Sequence, residues 1–190
     1  MKLSILTPTI PERVSQVSAL QTRIEDQISR LGSSARVEHL VFCDNRTRSI
    51  GAKRQALVDI ARGDFFAFCD DDDQISDDYV ASILAGIETG ADVITFRQRA
   101  IYNGLESEVH FGINNQDGAF NPGGITLRAP WHVCAWKREK VDGCLFSESN
   151  YGEDKIWCMQ ARQRIKTGFH IDVVLHAYRH DRNTTAAPEL

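Results

Sequence analysis

The chain has 190 residues, enough for one domain with a sizeable core, and its 42% hydrophobic and 25% charged residues are those of a soluble globular protein. A net charge of −4 excludes a general polyanion binder, so any bound anion must be held by a local basic patch or a metal. Five cysteines, Cys43, Cys69, Cys134, Cys144 and Cys158, lie without zinc spacing and mostly in apolar runs, as expected of reduced thiols in a cytoplasmic chain. Met1 to Ile10 is too short for a signal peptide and no stretch has the length of a membrane span, so no membrane association is expected and the sequons at Asn45 and Asn183 carry little meaning.

In chain order, Lys2 to Pro8 reads as a strand, stopped by Pro8 and Pro11. Val14 to Leu31 has helical spacing, with Val17, Leu20, Ile24, Ile28 and Leu31 on one face, and Gly32-Ser33-Ser34 ends it. Val37 to Cys43 is a second strand and Ile50 to Arg62 a second helix. Gly63-Asp64 turns into a third strand, Phe65 to Cys69, and Ser76-Asp77-Asp78 caps a third helix, Tyr79 to Thr89. Asp92 to Gln98 is a fourth strand. This β-α-β-α-β-α-β order predicts a parallel sheet covered on both faces. Tyr102 to Arg128 is then rich in Gly and Asn, either a working loop or part of an irregular sheet. His132 to Trp136 resumes a strand, Tyr151 to Lys166 is a helix, Phe169 to Tyr178 is a last strand, and Asn183 to Leu190 is a loose tail.

The third strand ends in four aspartates, Asp70 to Asp73. Carboxylates this close cannot all stay ionised without a compensating cation. A divalent metal is the simplest compensation, because hard cations take oxygen ligands. Ligands of open α/β sheets bind at the carboxyl ends of strands, where this run sits. The plainer reading is a solvated acidic turn or a helix N-terminus, where Asp suits the dipole. An aspartyl-phosphate phosphatase also places Asp-x-Asp after a strand, but near the N-terminus and with Thr or Val where this chain has Gln74. An EF-hand is excluded, since the loop lacks its Gly and its closing Glu.

Two blocks resemble a known family. Gly51-Ala52-Lys53-Arg54-Gln55, followed by Ala61-Arg62-Gly63-Asp64-Phe65-Phe66-Ala67-Phe68-Cys69 and the four aspartates, is similar to the nucleotide-sugar half of family 2 glycosyltransferases. Cys134-Ala135-Trp136-Lys137-Arg138-Glu139, then Gly143-Cys144-Leu145-Phe146, then Gly152-Glu153-Asp154, resembles the family's second half. The resemblance implies a single GT-A domain, a Rossmann-like, mostly parallel sheet with helices on both faces. Residues 1–100 would form the nucleotide-sugar half, 101–182 the acceptor and catalytic-base half, and 183–190 the tail.

What the resemblance implies for function is metal-dependent transfer of a sugar from a nucleoside diphosphate sugar, usually UDP-linked, to an acceptor hydroxyl with inversion. Mn2+ or Mg2+ would stabilise the charge growing on the departing diphosphate. Asp72 matches the position that most often ligates the metal, with Asp70 as the other half of the motif; Asp71 or Asp70 would instead hold the ribose, and Asp73 is expected to cap the turn or support the ligands from behind rather than ligate directly. Thr7, Pro8 and Thr9 would line the nucleotide crevice, and Asp44 would read the base. Lys53 or Arg54, beside Arg46 and Arg48, would pair with the diphosphate, with at least one of the two on a solvated helix face.

Asp154 is the first choice for the base that deprotonates the acceptor and Glu153 the second; the plainer role for both is to open the helix. Trp136 stacks on a sugar or packs in the core. His180, ahead of His176, would complete the metal shell. The acceptor class stays open among a saccharide, a modified DNA base and a protein side chain. Arg128, His132, Lys137, Arg138 and Lys140 are either a site for a phosphate-bearing acceptor or a solvated basic surface. A nucleotidyltransferase of related fold would need a Gly-rich, Lys-bearing loop in place of Thr7-Pro8-Thr9-Ile10-Pro11. An inert sugar-nucleotide-binding module is the alternative of another class, disfavoured by the presence of both acidic sites.

Overall fold

A computed structural model describes residues 1–32 and 36–180. Ser33, Ser34 and the 183–190 tail, with its sequon, lie outside the described residues. The first half follows the order read from the sequence: β1 (Leu3–Thr9), a 3-10 turn at Pro11–Arg13, α1 (Val14–Leu31), β2 (Val37–Cys43), α2 (Ile50–Ile60) and β3 (Phe65–Phe68). β1 is buried along its whole length and pairs in parallel with β2 on one side and β3 on the other. A strand buried on both faces explains why its apolar run does not alternate. α1 ends on Gly32, whose φ of 59° is the left-handed conformation that glycine takes without steric cost.

Beyond β3 come β4 (Gln74–Ile75), α3 (Tyr79–Ile87), β5 (Val93–Tyr102), β6 (Leu105–Phe111), β7 (Ile125–Arg128), β8 (Ala135–Lys137), α4 (Arg138–Val141), α5 (Glu153–Arg162) and β9 (Gly168–His180). The nine strands among the described residues join one mixed sheet, with order β2-β1-β3-β8-β5-β6-β7. β5 and β9, and β6 and β7, add parallel pairings. The pairings of β8 with β3 and β5, of β5 with β6, and of β4 with β9 are antiparallel. β5 therefore does not lie next to β3, as the simple βαβ series predicts, because the three-residue β8 is inserted between them. One edge of β5 is lined by β9 throughout, and its other edge by β8 and then β6. α1 and α3 contact each other, whereas α2 and α4 both contact α5.

The Gly- and Asn-rich span is an extension of this sheet. Its backbone is tied by β6 and β7 and by the bonds Gly118 N to Leu127 O (2.9 Å) and Gly123 N to Glu106 O (2.7 Å). The start of α3 is capped from another helix. Gln27 of α1 accepts from Val80 N (2.9 Å) and donates to Ser76 O (2.8 Å). Two orphan groups of the helix start and its turn are thus satisfied by one buried side chain. No helix among the described residues is long and apolar enough to cross a membrane.

Candidate active site

β1 and β3 run in parallel and bring Thr7, Thr9 and the four aspartates to the carboxyl ends of the strands. There the aspartates separate into four different environments. Asp70 is gripped by Arg54 of α2, Nη1 to Oδ1 and Nη2 to Oδ2, both at 2.8 Å. Burial opposes its ionisation, but the guanidinium and His132 beside it hold the carboxyl far below the usual range. Asp71 accepts from Thr9 Oγ1 (2.6 Å) and from Arg13 Nη1 (2.8 Å). Asp73 folds back to accept from the Asp70 backbone N (2.8 Å), the capping role expected of it. Its Oδ2 also lies 3.0 Å from His176 Nε2.

Asp72 differs from the other three. Its side chain is 45% exposed, and Arg13 Nη1 lies 3.0 Å from its Oδ2. Partial burial, with Asp73 and Asp70 close by, lifts its carboxyl to about 6. A carboxylate whose charge its own surroundings leave unbalanced fits a divalent cation, and the oxygen donors of Asp72 and Asp70 suit a hard one.

The basic residues of α2 do not lie on a solvated face. Lys53 and Arg54 are each only 4% exposed. The expectation that at least one of the two lies on a solvated face fails, because the apolar stems are covered and both head groups meet carboxylates. Lys53 Nζ reaches Thr9 O (3.1 Å) and Asp44 Oδ1 (3.0 Å). Asp44 also accepts from Thr47 Oγ1 and from Arg48 N. Partial desolvation opposes its ionisation, but Lys53 and these donors bring its carboxyl down to about 2. Arg54 donates its Nε to Glu153 Oε1 (3.2 Å), so one guanidinium joins the two acidic constellations.

Glu153 and Asp154 open α5 after Gly152, whose φ is 74°. Glu153 is buried against Arg54, whereas the Asp154 side chain keeps a quarter of its surface exposed. Asp154 Oδ2 accepts from Trp131 Nε1 (3.2 Å) and lies 3.4 Å from His132 Nδ1. The other nitrogen of that ring, Nε2, is 3.8 Å from Asp70 Oδ2. His132 thus sits between Asp70 and Asp154. Its sequence context, one more cation in a basic set, gave no sign of this.

That basic set is divided in space. Arg128 stacks on Trp131, 4.1 Å from guanidinium carbon to ring centre, near Asp154. Lys137 and Arg138 instead border a cleft with Lys2 and Asp64 at the opposite ends of the strands, with Lys140 close by on Asp92. Trp136 is fully buried and donates to Trp131 O (3.0 Å), so it packs in the core. Of the two late histidines, His176 places its Nε2 3.0 Å from Asp73 Oδ2. His180 lies opposite Tyr102 in the β5–β9 ladder, with its ring centre 5.5 Å from that of Tyr102. Pro8 lies in β1, opposite Phe42.

Deeper, Cys69, Asp73 and His176 bring three ligand-type atoms within 4.8 Å of one another, all buried. Burial, then the surrounding carboxylates, push the Cys69 thiol well above its ordinary range.

The sequence pattern of Glycosyl transferase family 2 matches residues 27–146, more than half of the chain, and the protein belongs to this family. Its fold is similar to that of S. aureus TarS. A structure of TarS 1-349 superposes with a TM-score of 0.66 at 16% identity, covering 94% of this chain and 60% of that one. TarS 1-349 in complex with UDP-GlcNAc gives 0.68 at 14% identity, covering 98% and 62%. TarS 1-349 in complex with UDP gives 0.66 at 16% identity, covering 95% and 61%. The chain therefore spans about three fifths of the TarS chains it resembles. Comparison with curated proteins finds no match.

Proposed function

We propose that the protein transfers a sugar from a UDP-linked nucleoside diphosphate sugar to an acceptor hydroxyl, with inversion at the anomeric carbon. The observation that carries this reading is that Asp70 and Asp154, far apart in sequence, flank one imidazole, that of His132. A donor-holding acid and an acceptor-activating acid must face one another across the bond being made. The UDP and UDP-GlcNAc complexes of the structurally similar TarS support the choice of donor.

In this reading the crevice beside Thr7, Pro8 and Thr9 receives the nucleotide. Asp44, fixed by Lys53, meets the base, and Asp71, fixed by Thr9 and Arg13, meets the ribose. Asp72 and Asp70 hold Mn2+ or Mg2+, which when bound neutralises the charge growing on the diphosphate. Asp154 takes the proton of the attacking hydroxyl, because it is open to solvent while Glu153 is engaged by Arg54. Asp73 and His176 keep the acidic turn closed from behind.

A donor screen tests the reading. The protein is melted with a panel of sugar nucleotides, with manganese and with EDTA. A manganese-dependent rise in Tm with UDP-sugars is expected. A rise with no member of the panel in manganese would overturn it.

A further inference from the structure

The carboxylate proposed as the base is poorly held by its own helix. Among the described residues, Asp154 Oδ1 accepts from the adjacent Lys155 N (2.7 Å), and no side chain caps the start of α5. The contacts that Oδ2 receives from outside α5 come from two consecutive residues, Trp131 and His132.

Both rings are mounted rigidly. The Trp131 indole is flanked by the guanidinium carbons of Arg128 at 4.1 Å and Arg162 at 5.2 Å from its centre. Arg162 is itself anchored on Pro130 O (2.9 Å) and Asp117 Oδ2 (2.8 Å). Trp131 O receives Cys134 N (2.9 Å) and Trp136 Nε1 (3.0 Å). The His132 carbonyl accepts from Phe68 N (3.3 Å), and its ring meets the Phe68 ring at 6.1 Å. Phe68 stands two residues before Asp70, so the imidazole is attached to the strand that carries the donor-side acids.

His132 is 7% exposed, and its buried Nδ1 lacks an aligned hydrogen-bond partner. A buried polar nitrogen left in this state is costly and uncommon. It lies 3.4 Å from Asp154 Oδ2 without the alignment of a hydrogen bond, and catalytic contacts that are long in a free enzyme often tighten in the reacting complex.

We infer that Trp131 and His132 are positioning residues for the acceptor step: their ring nitrogens fix the Asp154 carboxylate, and His132 ties its place to Asp70 on the donor side. The inference rests on Asp154 being the base. Other groups in the electrostatic reach of Asp154 are Arg54 on α2, Tyr102 on β5 and Cys158 on α5, and the variants below leave them unchanged.

Trp131→Phe keeps a ring between the two arginines and removes only the N–H. An N–H aimed at a carboxylate favours its charged form. Its loss should lower kcat about tenfold and move the acid limb of the kcat profile to higher pH. Donor Kd and Tm should stay as in the wild type. His132→Asn should lower kcat in the same way and also weaken donor binding. Wild-type kcat and an unmoved pH profile in both variants would overturn the inference. So would a loss of kcat that tracks a loss of Tm with the profile unmoved. If Trp131→Phe fails to fold, His132→Asn decides by the same readings. Asp154→Asn separates the two ideas: full activity removes the base and this inference with it, while an inactive Asp154→Asn beside two unaffected ring variants removes only this inference.

Discussion

Arg54 meets Asp70 through two parallel hydrogen bonds of 2.8 Å while its Nε holds Glu153 at 3.2 Å. One buried cation therefore stabilises a carboxylate from each acidic constellation. Removing it takes the guanidinium from both the buried Glu153 and the mostly covered Asp70. Arg54→Met should cost about 3–5 kcal/mol, the usual range for breaking a buried pair from one side. Urea unfolding of the variant decides; a loss under about 1 kcal/mol, the size of an exposed pair, would show that water replaces the guanidinium.

Asp72 yields a pH prediction. Its folded value of about 6 lies above the ordinary 3.8. Between these values the unfolded chain releases its proton first. Stability is therefore lost as pH rises from about 4 through 6, and it stays reduced above 6. Because 45% of the side chain is exposed, solvent screening keeps this to roughly 1 kcal/mol or less. Asp72→Asn should raise Tm slightly at pH 7 in EDTA and abolish the further rise given by UDP with manganese. An unchanged manganese-dependent rise in the variant would remove Asp72 from the cation site.

Replacing the two acids of α5 should have different effects. Asp154→Asn should still bind UDP and manganese, with turnover lower by a factor on the order of 10² or more. Glu153→Gln removes a buried partner of Arg54, so it should lower Tm as well as activity. The order of the two acids would be reversed if Glu153→Gln alone lost turnover at full stability.

Gly51 opens α2 against the loop that leads to α5. A Cβ there would meet the Ser147 carbonyl, and Gly51 N already bonds Ser149 O (3.0 Å). Gly51→Ala should push the loop away and cost about 1–3 kcal/mol, as overpacking does. It should also reduce turnover, because the same helix carries Arg54 to Glu153. A variant as stable and active as the wild type would show that the loop yields freely.

The parts legible in the sequence were those written in local patterns. The periodicity of Val14 to Leu31 and the apolar run before the aspartates placed α1 and β3 within a residue of their observed ends. The acid run pointed to the candidate site because strand ends are where this fold class binds ligands. Pairings made over long range left no local trace. β8 is three residues long, and nothing in Ala135-Trp136-Lys137 says that it enters antiparallel between β3 and β5. Lys53 and Arg54 look like surface cations until Asp44, Asp70 and Glu153 are brought to them. Nothing local in the sequence says that the His176 imidazole meets Asp73, since that contact is made by the pairing of β9 with β4.

The contact between Asp73 and His176 also sets an order of events in time. During synthesis the acidic turn is made about a hundred residues before the imidazole that closes it from behind. At about 5–20 residues per second this interval is roughly 5–20 s. For that period the growing polypeptide carries four adjacent carboxylates with neither His176 nor the start of α5 available. The nucleotide half has its strands and helices early, but a nascent chain that stops short of β9 has an unfastened site.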